Sequence, residues 1–245
     1  MSRVVMLHGW GMHRAIWGDW PDRLGEVMRL DLPGHGERPR GERLESLETL
    51  AAEVMASGKG PIMIVGWSLG GLIALQAAAD HPDRVAGLVL LAATPCFVRQ
   101  PDWPSGMESA IFEEFAQGLE EDYRGTLNRF SALEVRGSET GRRDLKLIRE
   151  RMNRYPPPAR ETLRDGLRLL RDSDLRHRLD ELDCPTLLVA GDHDRLVAPE
   201  AVEATAKRMP QARVTMIRGA GHAPFLGQPD TVAGLIQGFV ETCRP

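Results

Sequence analysis

The stretch Val65-Gly66-Trp67-Ser68-Leu69-Gly70-Gly71 decides the fold of this 245-residue chain, because it sets a G-x-S-x-G sequence between two different periodicities. Before it, Pro61 to Val65 is a short apolar run behind Gly58 and Gly60, the pattern of a buried strand. After it, Leu72, Leu75 and Ala79 recur at helical spacing until Asp80-His81-Pro82, where the proline ends the helix. A strand that turns directly into a helix puts Ser68 in a strained backbone conformation, its hydroxyl projecting above the sheet. Gly66 and Gly70 leave room for that turn. The helix N-terminus then lies where negative charge would develop in acyl transfer. Ser68 is the candidate nucleophile.

The same alternation continues on both sides of this elbow. Strands are predicted at Arg3–Leu7, Val27–Leu30, Ala86–Leu91, Thr186–Ala190 and Arg213–Ile217, and helices at Leu44–Ala56, Leu175–Leu182, Pro199–Arg208 and Thr231–Glu241. The pattern predicts an α/β chain, doubly wound on a mostly parallel sheet. From about Pro95 to Asp172 no buried strand pattern appears, and helical patterns break at Gly125, Gly137 and Pro156-Pro157-Pro158. This segment follows the Ala86–Leu91 strand, at the carboxyl edge where open α/β sheets bind ligands. It is expected to be an inserted helical lid over residues 96–172, on a core made of 1–95 and 173–245.

Composition narrows the function classes. With 42% apolar and 27% charged residues the chain reads as an ordinary globular protein. At this length it can bury roughly 70–75% of its unfolded surface without staples. No run approaches the ~20 apolar residues of a membrane span, and Met1 to Leu7 is too short for a signal peptide's apolar region. Cys96, Cys184 and Cys243 are odd in number and lack metal-ligand spacing, which suits a reducing compartment, so the cytoplasm is the expected setting. Net charge is −4, yet Arg124 to Arg178 holds 15 Lys/Arg against 8 Asp/Glu. A local basic excess argues against nucleic-acid binding by the whole chain and fits an acidic partner docked on one region. No Walker loop and no G-x-G-x-x-G after a strand is present, so no cofactor is expected.

A serine hydroxyl needs a base in hydrogen-bond reach and a third group to orient that base. His222 lies in Gly219-Ala220-Gly221-His222-Ala223-Pro224-Phe225, between the Arg213–Ile217 strand and the last helix, and is the candidate base. Gly191-Asp192-His193-Asp194 follows the preceding strand and offers two aspartates; the motif resembles the hydrolase pattern in which the second acid follows a Gly-x-x turn, which makes Asp194 the candidate acid, and Asp192 is expected to stabilise its own turn. Two backbone amides should cradle the oxyanion: that of Leu69, after the nucleophile, and that of Trp10 in His8-Gly9-Trp10-Gly11.

These residues resemble the α/β-hydrolase superfamily along the whole chain, which makes the order serine, acid, histidine the expected one. More narrowly, His8-Gly9-Trp10-Gly11, Gly66-Trp67-Ser68-Leu69-Gly70-Gly71, Thr94-Pro95-Cys96-Phe97 and His222-Ala223-Pro224-Phe225 resemble the carboxylesterases of biotin synthesis, the pimeloyl-[acyl-carrier protein] methyl ester esterases. The segment from Asn128-Arg129-Phe130 to Gly141-Arg142 is similar to the same family. The resemblance implies hydrolysis of a carrier-bound methyl ester, with acyl carrier protein as partner and a monomeric enzyme. It also implies substrate contacts from Trp10, Trp67, Leu69 and Phe130, and carrier docking by Arg129, Arg142, Lys146 and Arg149. On a helix Arg142, Lys146 and Arg149 share a stripe beside Leu145, Ile148 and Met152. One departure is expected: the antiparallel strands that usually precede the first strand here are absent or truncated, leaving about six strands and a less protected edge.

Two other readings compete. A general short-chain carboxylesterase, lactonase or carbon–carbon hydrolase would use the same three residues, since specificity lies in lid and pocket. A non-catalytic ligand receptor on this fold would not need Ser68, Asp194 and His222 together. A haloalkane dehalogenase is disfavoured, because the nucleophile position holds serine.

Overall fold

Near-continuous apolar runs leave both faces of the central strands hydrophobic, so the sheet needs cover on both sides. The computed structural model describes residues 3–243. Its strands are β1 (Arg3–Leu7), β2 (Val27–Leu30), β3 (Ile62–Trp67), β4 (Val85–Leu91), β5 (Thr186–Gly191) and β6 (Ala212–Ile217). They form one six-stranded sheet in the order β2-β1-β3-β4-β5-β6, every pair parallel. Helices α1 (Leu47–Ala56) and α2 (Leu69–Asp80) flank β3 in sequence; α7 (Pro199–Lys207), α8 (Pro224–Gly227) and α9 (Pro229–Thr242) belong to the last third. Between β4 and β5 the chain forms α3 (Ser109–Glu121), α4 (Tyr123–Glu134), α5 (Gly141–Met152) and α6 (Arg160–Asp172).

The period of two sorts the strands onto two cores. Val5, Leu7, Ile62, Ile64, Leu88 and Leu90 meet Leu50, Val54, Leu72 and Leu75 of α1 and α2. The alternate residues Val4, Met6, Met63, Val65, Val89 and Leu91 meet Trp17 and the Val232, Ile236 and Phe239 stripe of α9. Each fully buried Leu or Ile contributes about 1.5–3 kcal/mol relative to exposure. Register also aligns the carboxyl ends of the strands. Leu7 lies opposite Gly66, Trp67 opposite Leu91, Leu91 opposite Val189, and Gly191 opposite Ile217. The loops after β1, β3, β5 and β6 therefore open on one edge, with the reversal of strand order falling between β1 and β3.

Several boundaries differ from expectation. The first long helix begins at Leu47, because Ser46 caps it by accepting from the Thr49 amide at 3.2 Å. The predicted helix at Leu175–Leu182 is a 3-10 run, Arg176–Glu181, whose start is pulled tight by Asp174 accepting from the Arg176 amide and guanidinium. Further 3-10 runs at Arg14–Trp17 and Trp20–Leu24 lack any periodicity long enough to read. The two ends of the inserted helical segment lie side by side: the Leu175 amide donates to the Pro95 carbonyl at 2.9 Å, and Cys96 bridges Asp174. Among the described residues no helix is long and apolar enough to cross a membrane.

Candidate active site

Ser68 is the hinge between β3 and α2, at φ 55° and ψ −117°. A positive φ at a non-glycine residue costs on the order of 1–3 kcal/mol, so the surroundings must impose it. They do so by close packing. A Cβ at Gly66 would strike the Gly70 carbonyl, and one at Gly70 would strike the carbonyls of Leu7 and His8. The Ser68 amide donates to the Leu91 carbonyl at 3.0 Å, while its side chain forms no cap on α2. The hydroxyl is left free for chemistry.

Asp194 leaves the loop after β5 as a fixed acceptor. Its Oδ1 takes the amides of Leu196 (2.8 Å) and Val197 (3.1 Å), which turns Oδ2 toward His222 Nδ1 at 2.8 Å. Both side chains are buried. With Nδ1 donating to a carboxylate, the imidazole presents the Nε2 lone pair, and Nε2 is buried with no partner among the described residues. The His222 backbone is tied at both ends: its amide donates to the Glu134 carbonyl at 3.0 Å, and its carbonyl accepts the Trp67 indole N–H at 2.9 Å. The residue beside Ser68 thus touches the histidine directly. Such a set can remove a hydroxyl proton and stabilise the imidazolium that results.

Around this couple, three side chains take places the sequence alone did not assign. Asp192 does not bond its own turn; its Oδ1 accepts the Gly219 amide at 2.7 Å and so links the acid loop to the histidine loop. Trp67, expected on the acyl channel, is fully buried in the second core against Trp17 and Phe225. Strand alternation aims it to the same side as Met63 and Val65, and it does not line the cavity at Trp10 and Phe130. Glu134, unnoticed in the sequence, is buried at the end of α4, and its carboxyl is held well above the ordinary range, first by burial and then by Asp194.

The two amides expected to bind an oxyanion, Trp10 and Leu69, have no acceptor among the described residues. His8 shapes the loop that bears the first. Its Nε2 accepts the Leu32 amide at 3.0 Å, so the proton sits on Nδ1 and is donated to the Gly9 carbonyl at 2.9 Å. Burial, then the neighbouring His35, pushes the His8 imidazole well below its ordinary value, which keeps this arrangement neutral. The Trp10 indole donates to the Leu163 carbonyl of α6 at 2.7 Å, and its ring meets Phe130 edge-on at 4.6 Å. Trp10 and Phe130, with Leu127, Ile148 and Met152, line a cavity of about 470 Å³. Leu69 is fully buried and does not line it. Arg149 stands at that cavity, while Arg129, Arg142 and Lys146 are exposed on α4 and α5. Among the described residues no group of three or more His, Cys, Asp or Glu could hold a metal ion.

The chain belongs to the alpha/beta hydrolase family, whose pattern matches residues 4–235. It is 42% identical to the pimeloyl-[acyl-carrier protein] methyl ester esterase of Stenotrophomonas maltophilia (strain K279a), over 99% of this chain and 94% of that protein. It is 44% identical to the protein of the same name from Xanthomonas campestris pv. campestris (strain B100), over 97% of this chain and 94% of the other. In fold it is similar to an esterase from Exiguobacterium antarcticum, with a TM-score of 0.88 at 23% identity over 98% of this chain and 92% of that one. A thermophilic esterase from Thermogutta terrifontis matches with a TM-score of 0.83 at 25% identity, covering 100% of this chain and 91% of its own.

Proposed function

We propose that the chain is a serine carboxylesterase that hydrolyses the methyl ester of a pimeloyl group borne on acyl carrier protein, a reaction of biotin synthesis. The observation that carries this reading is the buried Asp194–His222 couple, with a free Nε2, joined through Trp67 to the strained Ser68 elbow. Relatives 42–44% identical along nearly the whole chain supply the substrate.

In this reading His222 Nε2 takes the Ser68 proton as Oγ attacks the ester carbonyl, and the amides of Trp10 and Leu69 receive the oxyanion. Collapse expels methanol, protonated by His222, and leaves an acyl-enzyme. Water, activated by the same imidazole, then releases the free acid. Residues 96–172 act as a lid. The apolar wall of Trp10, Phe130 and Ile148 suits a methylene chain, and the exposed Arg129, Arg142, Lys146 and Arg149 face an acidic carrier.

Ser68→Ala should lower kcat by up to ~10⁶ on any ester without changing the fold. Expression of the chain should restore biotin-independent growth to a bacterium lacking its own pimeloyl-ester esterase, and the Ser68→Ala variant should not. Good turnover of small esters without growth rescue would point to a general esterase instead.

A further inference from the structure

The inserted helices do more than cover the site; they are sewn to both loops that carry its histidine and acid. The Glu134 carbonyl accepts the His222 amide at 3.0 Å, the Glu139 amide donates to the Gly219 carbonyl at 2.9 Å, and His193 Nδ1 donates to the Gly137 carbonyl at 2.9 Å. Glu134 starts this seam. It is 1% exposed, its Oε2 is buried without a partner, and no cationic side chain pairs with it among the described residues.

We propose that Glu134 is a positioning residue for the Asp194–His222 couple, a buried, unpartnered carboxyl at the end of α4 whose own backbone carbonyl holds the His222 amide. The inference rests on the Ser68–His222–Asp194 reading. The groups that act on Glu134 are the Asp194 carboxylate after β5 and the His222 amide after β6, which its carbonyl accepts. Asp144 of α5 is already engaged by the hydroxyls of Ser138 and Thr140. Burial first and Asp194 second oppose ionisation of Glu134 and favour its neutral form. In that form Asp194 is the single anion facing the imidazole. Loss of the Glu134 proton to solvent would set a second buried anion beside Asp194 with no cation to offset it. Escape of that charge to water would draw the Glu134 carbonyl off the His222 amide.

The test is the pH dependence of kcat and KM on a short p-nitrophenyl ester, from about pH 6 to about pH 9, in the intact chain and in Glu134→Gln, Glu134→Ala and Ser68→Ala. The intact enzyme should lose kcat along an alkaline ionisation that Glu134→Gln lacks. Glu134→Ala should lose about tenfold in kcat with KM little changed, and the isosteric glutamine should recover most of that loss. Melting curves of each variant separate this from misfolding, to which the glutamine variant is the less exposed. Identical alkaline limbs for the intact chain and Glu134→Gln, or an undiminished kcat in a folded Glu134→Ala, would overturn the proposal. Turnover by Ser68→Ala would instead overturn the triad reading beneath it.

Discussion

Trp67 immediately precedes Ser68, yet its side chain serves His222. Its indole N–H holds the His222 carbonyl at 2.9 Å, inside a cluster with Trp17 and Phe225. Trp67→Phe keeps an aromatic ring but leaves that buried carbonyl without its donor, a cost of about 1–3 kcal/mol. The expected result is a lower Tm and a kcat reduced about tenfold, with KM for a small ester little changed. Thermal melts and steady-state kinetics on one preparation check both. The sequence held the information to place this residue. Trp67 shares the period-two phase of Met63 and Val65, whose face meets α9, so adjacency to Ser68 was a poorer guide than strand alternation. Glu134 offered no such clue. A glutamate at a helix end reads as a solvated residue, and only the packing of the end of α4 against the distant His222 loop buries it.

At the scale of elements, α5 joins two surfaces. Ile148 is fully buried against the second core, with Leu145 and Met152 packed beside it, while Arg142, Lys146 and Arg149 remain exposed. Reversal of Arg142 and Lys146, which lie off the cavity, to glutamate should therefore spare the fold. It should raise KM for a carrier-bound ester at least about tenfold and leave kcat/KM for a free short ester within about twofold. Parallel assays on the two substrates check it, and the carrier-bound reaction should be the more salt-sensitive. The strands were legible because both faces of a parallel sheet demand apolar runs, and the elbow because only glycine fits at positions 66 and 70. The 3-10 runs at Arg14–Trp17 and Trp20–Leu24 were not, since a run this short shows no period, and the helix read at Leu175–Leu182 winds as 3-10 where Asp174 draws in the Arg176 amide.

For the whole molecule, buried histidines set the acid limit of stability. His8 and His35 are fully buried with ring centres 5.1 Å apart, and burial lowers His35 to about 4. In the unfolded chain each titrates near 6.5. Between those values the unfolded chain binds more protons than the folded one. The histidine contribution to stability is thus complete above about pH 6.5 and is lost as pH falls toward about 4, by roughly 3 kcal/mol from His35 alone. Glu134 acts with the opposite sign, because a raised carboxyl destabilises the fold as pH climbs through its value. Urea midpoints should drop between about pH 7 and about pH 5, and less steeply in His35→Phe. The pinched base at Pro95 and Leu175 makes the four-helix insert a cassette that departs from and re-enters the sheet at one point. Exchange of that cassette between relatives would be simple in topology but not in chemistry. A transplanted insert would carry its own residues at 134–139 to the histidine loop, and a mismatch there would loosen the tether on His222.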